Sequence, residues 1–183
     1  MMSANIRLEP LYYLQFNKSL LNFMPRMIER KYDKNEVFPR ILAWCDRQER
    51  SIKQVNEKLY SWGIEEVELE STISELKKKG ALDELRFCHA YSRDSMKFKK
   101  WGRAKIKVGL IKAGISTSVA NQVLNELEEE EYMSVLSQLA HAAVRKGHHT
   151  KTYQDKMKFA AHLARKGFEA SLIFNMLDEL DQG

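Results

Sequence analysis

The sequence predicts an all-α fold made of tandem three-helix units, and three observations carry that expectation. Only three prolines and eight glycines occur in 183 residues, while the strong helix formers Leu, Lys, Glu and Ala are abundant. No alternating Val/Ile/Thr run is bounded by an Asn-Gly or Asp-Gly turn, so a hairpin signal is missing. The apolar pattern also repeats itself about every 50 residues. "KLYSWGIE" (58–65), "GLIKAGIS" (109–116) and "HLARKGFE" (162–169) align on Gly63, Gly114 and Gly167, at offsets of 51 and 53.

The alignment extends to both sides of the glycine. Four residues before it stand Leu59, Leu110 and Leu163, and eight before it Val55, Ile106 and Phe159. One turn of helix separates these positions, so they share a face. One residue after the glycine are Ile64, Ile115 and Phe168. Ten after it are Ile73, Leu124 and Leu177, and thirteen after it Leu76, Leu127 and Leu180. Each unit thus reads as helix, glycine turn, helix. The glycine is expected at C′ in a left-handed conformation, with Leu59–Ile64, Leu110–Ile115 and Leu163–Phe168 as the apolar contacts of a Schellman ending. Gly109 caps nothing, and close approach of a partner is the expectation for it.

A preceding helix completes each unit. In the first, "VFPRILAWCDRQ" (37–48) places Ile41, Trp44, Cys45 and Gln48 on one stripe. Ser51 and Gln54 form a capping box for the helix that follows. In the second, "DELRFCHAYSRDSM" (83–96) opens on Asp83 as N-cap and buries Phe87, Ala90 and Tyr91. In the third, "YMSVLSQLAHAAVRK" (132–146) buries Val135, Leu136, Leu139 and Ala143. The boundaries expected are 36–82, 83–131 and 132–183. "KGHHTKTY" (146–153) is the best loop candidate. Units of this size gain stability by stacking on their neighbours. Residues 1–35 stay outside the repeat as an N-terminal extension, partly helical or flexible, which Pro25 would interrupt. Met24 and Met27 offer alternative starts there, which the mass of the native protein distinguishes.

Cys45 and Cys88 sit among apolar residues and read as buried reduced thiols. No stretch approaches the roughly 20 apolar residues of a membrane span, and the N-terminus lacks signal-peptide order, so a cytoplasmic protein is expected. The five histidines match no metal-site spacing and read as surface residues, with His148 and His149 adjacent on the loop. Phosphate-loop, dinucleotide-binding, zinc-protease and nucleophile-elbow motifs are missing. Neither an enzyme nor a bound cofactor is expected.

Net charge is +5, unevenly spread. Residues 36–82 balance eight Lys/Arg against nine Asp/Glu. Residues 95–125 hold Lys97, Lys99, Lys100, Arg103, Lys105, Lys107 and Lys112 with no acid. "ELEEEE" (126–131) follows, a solvated face or a negative counter-surface to the basic segments. Residues 145–166 add Arg145, Lys146, Lys151, Lys156, Lys158, Arg165 and Lys166 against Asp155 alone. Such concentration fits a polyanionic or acidic partner, or else a solvated helix face. Lys100, Arg103 and Lys107 fall at i, i+3, i+7 and are expected to form a ridge. Lys151 and Lys158 repeat the spacing, with Arg165 beyond, so a ridge crossing units two and three would contact phosphate or acidic protein.

Three stretches together resemble the RecX family. "DRQERSIKQVNEKLYSWGI" (46–64) is similar to its arginine–serine helix entry, and "KKWGRAKIKVGLIKAGIS" (99–116) to its glycine–basic helix. "GALDELRFCHAYSRD" (80–94) resembles its Leu-Asp-Asp-x-Arg-Phe-Ala-x-x-Tyr/Phe motif through Leu82, Asp83, Arg86, Phe87 and Tyr91. Glu84 replaces the second aspartate and Cys88 the alanine. The resemblance covers roughly 36–181. It implies three three-helix repeats in an elongated, curved arrangement. It also implies a regulator that binds the RecA recombinase filament, inhibits its ATPase and strand exchange, and blocks or disassembles the filament, with DNA contact through the basic faces open. Without a symmetric apolar seam the chain reads as a monomer. Two alternatives stand beside this reading. One is a helix-turn-helix DNA-binding module with 116–127 as recognition helix, and the other is a generic helical scaffold.

Overall fold

In the computed structural model, residues 31–146 and 152–182 are described, and every regular element among them is helical. The first repeat consists of α1 (Lys34–Cys45), α2 (Ile52–Tyr60) and α3 (Glu66–Lys78). The second consists of α4 (Glu84–Lys97), α5 (Arg103–Lys112) and α6 (Thr117–Asn125). The third consists of α7 (Glu129–Arg145), α8 (Tyr153–Lys166) and α9 (Ala170–Gln182). No helix among the described residues is long and apolar enough to cross a membrane. The N-terminal extension up to residue 30, and Gly147, His148, His149 and Lys151 of the expected loop, lie outside the described residues.

The local chemistry explains the boundaries. Ser51 Oγ accepts from the Gln54 amide (3.2 Å) while Gln54 Oε1 accepts from the Ser51 amide (3.1 Å), so the expected box closes α2. Asp83 caps α4 by accepting from the Arg86 amide at 2.9 Å. The middle helix of each repeat ends on a left-handed glycine, with φ of 73° at Gly63, 90° at Gly114 and 93° at Gly167. The paired bonds are those of a Schellman ending: Ile64, Ile115 and Phe168 donate to the carbonyls of Leu59, Leu110 and Leu163. Gly80 (φ 70°) ends α3 the same way, with Ala81 donating to Leu76, an ending outside the sequence alignment.

Two expectations of the sequence are corrected here. α1 starts at Lys34 behind the N-cap Asp33 and stops at Cys45, so Gln48 lies beyond the helix and is exposed rather than on the stripe. α7 starts at Glu129, drawing the glutamate run into its first turn, where negative charge meets the positive helix end.

The repeat positions are the core. Leu59, Leu110, Leu163, Val55, Ile106 and Phe159 are all fully buried. Each such side chain contributes about 1.5–3 kcal/mol relative to exposure. The buried apolar residues form two clusters. One belongs to the first repeat, from Val37 to Leu82. The other runs unbroken through the second and third, from Phe87 to Leu177. Repeats 2 and 3 therefore share one core. The junction between repeats 1 and 2 carries polar ties: Lys53 Nζ donates to the Lys112 carbonyl at 3.0 Å, and Arg86 bridges Glu49 and the Gly80 carbonyl.

Glycines make the closest approaches. A methyl group on Gly102 would overlap the backbone of Gly167, and one on Gly167 would overlap Lys105. The two segments meet there backbone to backbone, with Gly102 donating to the Lys166 carbonyl (2.8 Å) and Ala104 to that of Gly167 (3.1 Å). Gly109 has an internal reason as well. A methyl there would run into the hydroxyl end of Tyr91, so the approach it permits is that of the motif tyrosine in its own repeat.

Candidate basic interface of repeats 2 and 3

The ridge expected from Lys100, Arg103 and Lys107 does not form as a helix face. α5 begins at Arg103, so Lys100 sits in the α4–α5 turn, with a left-handed φ of 54°. That conformation costs a residue with a Cβ roughly 1–2 kcal/mol. Lys107 is half-buried on α5 and Lys112 is exposed at its end, beside the exposed Val108 and Ile111.

Arg103 turns inward. Its guanidinium pairs with Glu129 and with Glu169 (3.3 Å), donates to the Leu124 carbonyl (3.3 Å) and stacks 4.0 Å from the Tyr132 ring centroid. Its amide donates to the Tyr132 hydroxyl (3.0 Å), which in turn donates to Glu169 (2.6 Å). Gly102 has no side chain to cap α5, and the hydroxyl of the next repeat does it instead. Lys97 is also engaged, 2.7 Å from Glu131. The glutamate run is thus a counter-surface to this chain's own basic segment. Both cations serve the junction of repeats 2 and 3, because α7 lays its acidic first turn against them.

The remaining cations gather in two places. Lys99 and Lys105 flank the Trp101 ring, 4.7 and 5.0 Å from its centroid, and Lys99 also stands 5.1 Å over Tyr91. Lys105 reaches the Arg165 carbonyl at 3.4 Å, which brings α8 to the same place. Arg165 is exposed, Lys166 is half-buried, and Lys158 is exposed about two turns earlier on the same face of α8. Lys100 and Arg145 line a hollow of about 500 Å³ with Ser137, Gln138 and His141, where Lys100 donates to Gln138 at 3.2 Å. Lys146 is exposed beside Arg145 at the end of α7. Lys99, Lys100, Lys105, Arg145, Lys158 and Arg165 make no ion pair with a carboxylate among the described residues. Lys99 and Lys100 are consecutive, so the two groups adjoin.

Two aromatics belong to this surface and were not singled out by charge. Trp101 carries the lysines, and Phe98 is 79% exposed between Lys97 and Lys99. A large exposed ring among cations is the composition of an interface anchor. The signal for both was in "MKFKKWGRAK" (96–105), read there for charge alone. α6, the recognition helix of the helix-turn-helix alternative, contains no Lys or Arg.

The motif description "RecX, second three-helix domain" matches residues 83–124, and "RecX, third three-helix domain" matches 129–177. Regulatory protein RecX of Thermotoga maritima is 30% identical over 131 residues, 71% of this chain and 75% of that protein. The chain belongs to the RecX family. The RecX regulatory protein of Prosthecochloris aestuarii is 25% identical over 150 residues, 81% of this chain and 95% of its own. The crystal structure of RecX from Lactobacillus salivarius superposes with a TM-score of 0.71 at 26% identity, over 81% of this chain and 97% of that one. In this RecX-family chain the described helices carry the three-helix repeat architecture.

Proposed function

We propose that this protein regulates the RecA recombinase by binding the RecA–DNA filament and restraining its ATPase and strand exchange. Membership of the RecX family carries the reading, since its named members are regulatory proteins. The surface in contact is proposed to be the basic, aromatic-bearing face of repeats 2 and 3, centred on Lys99, Lys100, Trp101, Arg145 and Arg165. Two features support that choice. The cations there lack carboxylate partners among the described residues, so pairing with an acidic surface or phosphate breaks no ion pair described there. The shared core and the Gly102–Gly167 contact hold the two repeats as one unit, which pre-organises cations contributed by the α4–α5 turn, α7 and α8. The protein is proposed to act as a monomer.

The test is DNA-dependent ATP hydrolysis and strand exchange by RecA of the same organism, with wild type and with Lys99→Glu/Arg145→Glu/Arg165→Glu. All three positions are exposed, so the fold should persist. Wild type is expected to inhibit both activities, and the triple variant to need at least tenfold more protein. Higher salt should weaken wild-type inhibition steeply. A wild type that leaves both activities untouched refutes the function, and a fully inhibitory triple variant refutes the surface.

A further inference from the structure

The first repeat balances its charges in sequence, and the fold gathers several of its cations beside aromatic rings. On one side, α1, the α1–α2 turn and the end of α2 bring together three rings and several cations. Tyr32 and Trp62 meet edge to face, 5.0 Å between centroids at 85°. Arg40 lies 4.4 Å from the Tyr32 centroid and Arg50 lies 3.9 Å from that of Trp44. Lys58 Nζ reaches both tryptophans, at 5.8 Å from Trp44 and 5.5 Å from Trp62. Between these groups is an open hollow of about 300 Å³, lined chiefly by Tyr32, Arg40, Trp44, Arg47, Lys58 and Trp62. None of its lining residues is acidic.

Arg40 is paired with Glu36 at 3.2 Å, and the other cations are available. Arg47, Arg50 and Lys58 make no ion pair with a carboxylate among the described residues, and Arg50 Nε is buried without a hydrogen-bond partner. Arg50 covers one side of Trp44, which also borders a second hollow of about 300 Å³ beside Arg50, Gln54 and Lys58. Glu57 also lines that second hollow, so only the first is free of acid, and half-buried Trp44 borders both. A cavity near 300 Å³ is at the small end of ligand sites, roughly 300–1,000 Å³. It suits one planar unit with an anion attached, and it is too small for a helix or a duplex.

We propose that this hollow is a subsite for single-stranded nucleic acid, in which an unpaired base stacks against Trp44 and the flanking phosphates pair with Arg47 and Lys58. Aromatic faces for bases beside cations for phosphates are what sequence-tolerant single-strand binding requires. An acidic peptide would satisfy the cations and leave the three rings unused. Duplex DNA keeps its bases paired and offers nothing to stack. The subsite is distinct from the surface of repeats 2 and 3 and does not depend on it.

The experiment uses the full chain without RecA. Fluorescence anisotropy follows a labelled oligothymidylate of about 15 nucleotides, within the span of roughly 4–16 that one small module covers. Wild type is expected to bind, Trp44→Ala and Arg47→Gln each to weaken binding about tenfold, and Trp44→Phe to retain most of it. Arg47→Gln should also lower the salt slope by about 0.7, the loss of one phosphate contact on a single strand. Arg47 is exposed, so its variant is informative even where Trp44→Ala unfolds by circular dichroism. Four outcomes overturn the proposal. They are no binding by wild type, equal binding by Arg47→Gln, tighter binding of a duplex of the same length, and displacement by thymidine monophosphate at equimolar concentration. The last would make the ligand a free nucleotide.

Discussion

Removing one oxygen from Tyr132 tests the junction between repeats 2 and 3. The ring is fully buried and stays in place in Tyr132→Phe, still 5.2 Å from Phe168 and beneath the Arg103 guanidinium, so no cavity is made. Two hydrogen bonds disappear. The Arg103 amide, first in α5, loses its acceptor, which resembles deleting an N-cap and costs about 1 kcal/mol. Glu169 loses a donor at 2.6 Å, a bond to a charged group worth about 1.5–3 kcal/mol. Because Glu169 keeps Arg103, the combined loss is expected at about 2–3 kcal/mol. For a chain of this size that lowers Tm by about 4–12 °C. Urea and thermal unfolding read both numbers. Alkaline pH adds a second readout. Burial, and then the Glu169 hydrogen bond, hold the Tyr132 phenol above its usual value of 10. The folded state keeps this proton while the unfolded chain releases it. The contribution is therefore whole below pH 10 and declines as pH rises further, by up to about 1.4 kcal/mol per unit. Tyr132→Phe lacks the contribution, so the gap between the two proteins should narrow from pH 10 to 11. A variant within 0.5 kcal/mol of wild type at neutral pH, roughly the scatter of neutral surface changes, would refute the reasoning.

Other positions give separate outcomes. Gly102→Ala should destabilise by about 3 kcal/mol in urea, because the methyl meets Gly167 backbone that cannot move aside. Gly109→Ala should lose less, about 1–2 kcal/mol, since only the Tyr91 ring must shift and alanine returns about 1 kcal/mol of helix propensity. Lys100→Gly should raise stability by about 1 kcal/mol by relieving the left-handed backbone, while it removes a cation from the proposed interface. Cys88 is fully buried, and burial, helped by Glu84 and Asp83, pushes its thiol up to about 11; burial also raises Cys45. Neither thiol should react with a disulfide reagent at pH 8 until urea unfolds the chain, and rapid labelling of the folded protein would contradict the buried placement.

The helices and turns were legible because their causes are local. Ser51–Gln54 and Asp83–Arg86 act within three residues, and Gly63, Gly114 and Gly167 end helices that their own neighbours specify. Apolar spacing then named Leu59, Leu110 and Leu163 as core, and they are fully buried. The interface was legible only in part. Charge marked Lys99, Lys105 and Arg165 without showing that Trp101 and the α5–α8 contact gather the first two beside the third. Helical spacing put Arg103 on a ridge with Lys100, yet the helix begins between them.

Sequence by itself determined the repeat, its caps and the buried stripe of each unit, since those follow from backbone conformation and 3.6-residue periodicity. Tertiary structure decided which charges are used up inside the chain. Arg103 and Lys97 meet Glu129, Glu169 and Glu131 across 26 to 66 residues, and nothing local distinguishes them from Lys99 or Arg145. It also decided where Gly102 and Gly167 touch, and which side of repeat 1 gathers Trp44, Arg47 and Lys58. An ion pair depends on where two distant elements dock, and docking follows from the shared core rather than from the charges themselves.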